Sequence, residues 1–514
     1  MIESTNKKLL LNTVTAFFLQ IFVIVCNFIL PRLYLQFYSS ETNGLIQSIT
    51  QFLGLVSLCE LGIGQVIQSA LYKPLAENDM DQVSRIIASG KKFFTRIAYI
   101  LFGYIVVLMC VFSFFSGASF GREYVVTLIG AMSINSFAQY YFGIIDSLLL
   151  NADQRNYINS IAQIIGTVLN TTVCAVLIVS GCSLPTVKFF SSMILIVKPV
   201  AIHFYIRRKY KINTKIHYEG EPIVQKWNGI AQHVSSYILS GTDTIVLTFF
   251  STLENISIYS IYNMIANGVN LLLHSFLGGL RSYFGKLWAS RDMDKTKKAF
   301  NLIEVIFHSL TVFLYTCTGI LIVPFVRIYT QGVNDCDYIQ PLFAFLLVIS
   351  YAIQGIRVPY GILIHAAGRY KETQVCYIVS ASFNLAISLI LVFKWGLVGI
   401  AFGTAISLLL QVLWIVIYNS KHLLKLSLLA FGKICLMDLL AAFFSYVLVK
   451  GCIPESLFYP RNYYEWFILA MLVAIIVVLV IAIMVMFFYR KTAKTMLLIV
   501  KSKKIKHHGK DKEC

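Results

Sequence analysis

From about Leu9 to Tyr489 the chain is a succession of long apolar runs separated by short polar intervals. A membrane-spanning helix needs about 20 mostly apolar residues. Fourteen stretches meet that demand: 12–37, 43–71, 93–115, 123–150, 157–180, 184–206, 231–251, 256–285, 300–326, 338–366, 372–394, 396–419, 428–450 and 463–489. The runs are continuous, unlike the short alternating segments of an outer-membrane barrel. Hydrophobic residues make up 58% of the chain and charged residues only 13%, against roughly 25% charged in a soluble domain. Water could not be the solvent for so much apolar surface, because the buried fraction grows only slowly with size. The expected fold is therefore an all-α integral membrane protein of about fourteen transmembrane helices.

The first run, from near Leu9 to about Leu35, is too long for a signal-peptide core, and no small-residue cleavage site follows it. It reads as an uncleaved first spanning helix. Orientation follows from the loop cations. If Lys7 and Lys8 lie inside, 34 of the 43 Lys and Arg fall on the inner side and seven on the outer, with Lys198 and Arg357 left within helices. Both termini are then cytoplasmic, and the chain belongs in the cell (inner) membrane. The basic interval Arg207–Lys226 and the tail from Arg490 face the cytoplasm. Anionic lipid is the expected contact of such a tail.

A net charge of +19 raises nucleic acid as a partner. That partner needs cations gathered on one folded face with aromatic platforms, whereas here they are spread through short loops. No nucleic-acid partner is expected. The eleven cysteines show no CxxC or Cys/His spacing, so neither a zinc site nor a disulfide framework is indicated, and no cofactor is expected.

The two halves of the chain repeat. Phe37-Tyr38-Ser39-Ser40 faces Phe249-Phe250-Ser251-Thr252 at an interval of 212, and Asp79-Met80-Asp81 recurs as Asp292-Met293-Asp294 at 213. Leu150-Asn151-Ala152-Asp153-Gln154-Arg155 faces Ile364-His365-Ala366-Ala367-Gly368-Arg369, and Asn170 faces Asn384, both at 214. Six helices per repeat give both halves the same orientation, related by an axis along the membrane normal. The expected organisation is a six-helix bundle over 1–206, a basic linker over 207–230, a second six-helix bundle over 231–420, an extra helix pair over 421–489 and a basic tail over 490–514.

This pattern resembles the polysaccharide (O-antigen type) flippases of the multidrug/oligosaccharidyl-lipid/polysaccharide (MOP) exporter superfamily. The resemblance covers nearly the whole chain. It rests on helices arranged as six, six and two, on Glu60-Leu61-Gly62-Ile63-Gly64, on the loop Lys73–Asp81, on Asn151-Ala152-Asp153-Gln154-Arg155, and on Gly241-Thr242-Asp243-Thr244-Ile245-Val246. It implies alternating access around a central cavity, with a lipid-diphosphate-linked oligosaccharide as cargo. Membrane lipid and polysaccharide assembly proteins are the other partners to expect.

Ionisable groups deep in a bilayer cost about 2.5–3.5 kcal/mol each on insertion scales, and so tend to face a wet cavity or a partner. Arg281, Arg357 and Lys198 are the candidates for the cargo diphosphate, since guanidinium grips phosphate oxygens bidentately and ammonium supplies a point charge. Each could instead neutralise an acid structurally. Arg32, after Pro31, is either an outer-gate contact or an interfacial anchor. Asp243, Glu60 and His274 are candidates for ion coupling, set against a salt bridge for Asp243 and a hydrogen-bonded bundle histidine for His274. Asp146 and Glu304 read as helix-end charges that pair with nearby Lys or Arg, or snorkel. Asn263, Asn267 and Asn270 share one helical face. With Gln354 they could line a sugar path or pack helices together.

Three rival functions remain to be weighed. A membrane polysaccharide polymerase or ligase needs a catalytic loop with clustered acids, which the short outer loops lack. The chain therefore reads as a non-enzyme. A drug/cation antiporter of the same superfamily should have an acidic cavity. A peptidoglycan-precursor flippase would share both architecture and a cationic cavity.

Overall fold

The computed structural model describes residues 2–60, 63–115, 117–210, 212–213, 230–274, 277–490 and 492. Leu61 and Gly62, most of the basic linker (Lys211 and 214–229), and Lys491 and the tail from 493 onward lie outside the described residues. Every regular element among the described residues is helical. In chain order they are α1 (Ile2–Phe37), α2 (Ser40–Gly54), α3 (Ile63–Glu77), α4 (Met80–Phe115), α5 (Gly117–Phe120), α6 (Arg122–Ala138), α7 (Ile144–Ala152), α8 (Asn156–Val179) and α9 (Leu184–Lys209). There follow α10 (Ile230–Phe250), α11 (Leu253–His274), α12 (Leu277–Ala289), α13 (Met293–Tyr329), α14 (Pro341–Ala366), α15 (Tyr370–Tyr418), α16 (Leu428–Cys452) and α17 (Tyr463–Phe488).

Among the described residues, ten helical stretches are long and apolar enough to cross a membrane, one of them (Lys371–Leu423) holding two of the expected segments, and the chain is a multi-pass membrane protein. The difference from the fourteen expected segments has physical causes. The segment at 43–71 is broken: α2 runs into a 3-10 turn, Leu55–Glu60, before α3. The segment at 123–150 carries a π-turn, Gln139–Gly143, between α6 and α7. The segments at 372–394 and 396–419 are two helices within α15, joined at a kink where Gly396 leaves helical geometry at φ 52° and ψ −126°.

The interval seen in the sequence recurs in the backbone. Asp79 caps α4 by accepting from the Gln82 N–H at 2.9 Å, and Asp292 caps α13 by accepting from the Lys295 N–H at 3.0 Å. A carboxylate at this position satisfies a helix N–H that has no intrahelical partner. The residue before each cap is left-handed, Asn78 at φ 58° and Arg291 at φ 56°. So are Gln154 at φ 57° and Gly368 at φ 68°, at the turns after α7 and α14.

The chain divides into two compact units, Met1–Ser260 and Ile261–Cys514, so the first turns of α11 belong with the first unit. The first unit is held by a core that includes Leu45, Ile49, Phe94, Leu128, Ile129 and Leu149. In the second, α13, α16 and α17 share a core around Val305, Ile434, Met437, Leu469, Val473 and Val477. The outer faces of α16 and α17 remain apolar, with Leu439, Phe443, Ile475 and Phe487 exposed, as a lipid-facing surface requires.

Candidate functional site

The second unit gathers three of the intramembrane groups expected from sequence. Arg281 on α12 and Arg357 on α14 both act electrostatically on His274 and on His365, the residues near the ends of α11 and α14. Arg281 is exposed, while Arg357 is half-buried and fixed from two sides. Its Nη1 donates to Gln411 Oε1 at 2.7 Å, and its guanidinium lies 5.6 Å from the centre of the Tyr377 ring, within cation–π range. His274 Nε2 is buried and unbonded among the described residues. The second unit thus brings two guanidiniums and two imidazoles within electrostatic reach of one another.

The asparagine face of α11 is occupied by tyrosines. Asn263 Oδ1 accepts from Tyr351 at 2.7 Å and Asn270 Oδ1 from Tyr315 at 3.4 Å, and the two rings stack with centroids 6.3 Å apart. Asn267, between them, is exposed, and Gln354 on α14 is half-buried. Asn263 and Asn270 thus bond α11 to α14 and α13.

The first unit holds the other expected groups. Glu60 accepts from Tyr140 at 2.7 Å. Buried Asp243 accepts from Tyr259 at 3.0 Å. Lys198 donates to Gln163 Oε1 at 2.5 Å, which ties α9 to α8. Arg32 is half-buried in α1 after Pro31.

The hydrogen-bond partners of two acids differ from those expected. Asp146 stands in the first turn of α7 with Lys91 and Arg207 acting on it electrostatically, but it is buried and its bond is to His203 Nδ1 at 2.6 Å. It borders a pocket with about 360 Å³ of room, lined also by Lys91, Tyr140, Tyr141, Arg207 and Tyr210. Glu304 does not snorkel. It sits about three turns inside α13 and accepts a short hydrogen bond from the Tyr360 hydroxyl. Lys and Arg were the obvious partners for acids near helix ends. The tyrosine and histidine partners come instead from helices far away in sequence. His365, Gln411 and His203 were missed for related reasons. His365 stands at a helix end and looked interfacial, and the others gain meaning only through a neighbouring helix.

No family model matches the chain, and no curated protein does. Solved structures do. "Lipid II flippase MurJ, inward closed conformation" superposes with a TM-score of 0.69 at 18% identity, covering 94% of this chain and 99% of that one. An inward-facing multidrug resistance MATE family transporter of the MOP superfamily gives 0.66 at 12% identity, over 81% and 99%. A MOP superfamily transporter from Pyrococcus furiosus gives 0.57 at 11% identity, over 82% and 97%. The chain has the fold of MOP-superfamily transporters. These neighbours are flippases and transporters by their names, and none is named as an enzyme.

Proposed function

We propose that this chain is a flippase of the polysaccharide (O-antigen) type. In this reading it moves an undecaprenyl-diphosphate-linked oligosaccharide from the cytoplasmic to the outer leaflet of the cell membrane by alternating access, with both termini cytoplasmic. The observation that carries the reading is the pair of guanidiniums, Arg281 and Arg357, that act together on His274 and His365 in the second unit. A diphosphate leaving water loses its hydration, and guanidiniums replace it with paired, charge-assisted hydrogen bonds. Asn267 and Gln354 would meet the sugar. Lys198 and Arg32 are further candidates for the phosphate, and Asp243, Glu60 and His274 for ion coupling. The cluster argues against a drug/cation antiporter, whose cargo carries the opposite charge.

The lipid-linked cargo is also supported by extent. The lipid II flippase match leaves only about 31 of the 514 residues uncovered. That is fewer than the 25 and 26 residues of α16 and α17 together, so the last helix pair takes part in that match. This favours one second reading, a flippase for the peptidoglycan lipid precursor.

The test is the leaflet position of the lipid-linked oligosaccharide after the chain is removed. Accumulation on the inner leaflet is expected. Normal arrival on the outer leaflet would overturn the proposal. If the chain instead restores outer-leaflet display of the peptidoglycan precursor in cells depleted of their own flippase, the second reading replaces the first.

A further inference from the structure

The interval that relates the two halves places Glu304 opposite Lys91, at 213, and Tyr360 opposite Asp146, at 214. The chemistry of the two places differs. In the first unit Asp146 has fixed cations about it: Lys91 and Arg207 act on its carboxylate electrostatically, beside its bond to His203. In the second unit the lysine position is itself an acid. His308, one turn along α13 from Glu304, is fully buried and bonds through Nδ1 to Asp438 Oδ2 of α16 at 2.6 Å. The charged groups that act on Glu304 are His308 and Asp438, and no Lys or Arg lines the small pocket beside it.

The other titratable groups facing this cluster carry no fixed positive charge. They are Tyr360 of α14, Cys435 of α16 and Tyr489 just past α17. Lys433 of α16 stands 5.3 Å from the Tyr489 ring centre. The turn after α15 contributes Asn419 and Ser420. Two polar atoms are left over. His308 Nε2 and Asp438 Oδ1 are buried and unbonded among the described residues, on side chains that are 0% and 8% exposed.

Two carboxyls and one imidazole share this buried place, and one imidazole can offset at most one carboxylate. The other acid is then an uncompensated charge, and Glu304, whose partner is the Tyr360 hydroxyl rather than His308, is that acid. Burying such a charge costs several kcal/mol, and the available compensation is a proton.

We propose that Glu304, His308 and Asp438 form a proton-binding site that links α13 to α16, with Glu304 as the group that takes up and releases the proton. In the loaded state Glu304 is a neutral acid that keeps its bond with Tyr360 and faces the hydrogen-bonded His308–Asp438 pair. In the empty state the cluster carries one more negative charge, which requires water to reach it. Such a site supplies what a proton-driven transport cycle needs, and it does not depend on which cargo the chain carries.

Infrared difference spectra of the full-length protein in lipid nanodiscs, recorded between mildly acidic and mildly alkaline pH, test this without any cargo. The wild type should show a protonated carboxyl band that rises as pH falls. Glu304→Gln should remove it while leaving the thermal unfolding midpoint at neutral pH near that of the wild type. His308→Gln should move the midpoint of the band to higher pH by about tenfold in proton affinity, because two carboxyls then compete for a proton without a cation between them. A wild type with no titrating carboxyl band, or a band untouched by Glu304→Gln, overturns the proposal. So does a midpoint unchanged in His308→Gln. Because no cargo enters the measurement, failure of the flippase reading would leave this result standing, and the reverse also holds.

Discussion

The Asn43 side chain donates to the Ser257 hydroxyl at 2.8 Å, which ties α2 to the first turns of α11. Asn43 also reaches Ser260 at 3.3 Å, and Ser48 accepts from Thr248 at 3.0 Å nearby. Asn43, Ser48 and Ser257 are all fully buried. Small residues let two helices approach closely, and polar side chains bond across the seam.

Replacing Asn43 with Ala should therefore destabilise the first unit by about 1–3 kcal/mol, the cost of leaving buried hydroxyls without their donor. Ser257→Ala should cost less alone, since Ser260 remains a partner. The double variant should be less destabilised than the sum of the two, by at least about 0.5 kcal/mol. Thermal or denaturant unfolding of the four proteins in detergent checks this. Full additivity would mean that the contact contributes nothing.

Gly44 sets the spacing of the same seam. A Cβ there would stand 1.8 Å from the Leu253 carbonyl oxygen, closer than any real contact. Gly44→Ala should thus push α2 away from α11 and cost about 1–3 kcal/mol through overpacking. Ala at Gly103, where a Cβ meets nothing within 4 Å, should be tolerated without loss of stability and serves as the control.

The membrane fold could be read from composition alone because the apolar runs are continuous. The repeat was legible where capping chemistry preserves residues, as at Asp79 and Asp292. Helix breaks were less visible. The π-turn at Gln139–Gly143 comes from packing: Gly143 admits the Pro199 ring, which would lie 2.9 Å from a Cβ. Arg281, Arg357 and His274 stood out as ionisable groups in apolar runs. The His203–Asp146 and His308–Asp438 pairs did not, because 57 and 130 residues separate the partners. No local pattern signals a contact between distant helices.

Asp292 gives a pH prediction outside the membrane-spanning core. The side chain and backbone N–H of Lys295 hold its carboxyl below the ordinary carboxylate range. A carboxyl lowered in the folded state stabilises above its unfolded value and loses that contribution as pH falls through the folded one. Asp292→Asn should thus unfold at a slightly lower temperature than the wild type at neutral pH. The gap should close below about pH 4. The effect is small because the pair is exposed to solvent and screened by salt. A gap that persists unchanged in acid would show that the carboxylate charge plays no part.

Arg357 offers the sharpest test of the cationic cluster, because its structural and cargo roles predict different variants. Its bond to Gln411 and its place near the Tyr377 ring would be partly kept by Lys, which retains charge but loses the planar fork. If Arg357 only braces α14 against α15, Arg357→Lys should transport nearly normally, and Gln411→Ala should be as damaging as Arg357→Ala. If it grips a diphosphate, Arg357→Lys should fail nearly as badly as Arg357→Ala, while Gln411→Ala keeps most of the activity. A lost charge-assisted hydrogen bond is worth about 1.5–3 kcal/mol, so each guanidinium removed should lower transport about 10- to 150-fold. Arg281→Ala should match Arg357→Ala in transport yet leave stability unchanged, since Arg281 is exposed. Transport of the lipid-linked oligosaccharide in vesicles, read beside thermal unfolding of each variant, separates the two outcomes. Full transport by the double Ala variant would remove both residues from the cargo path.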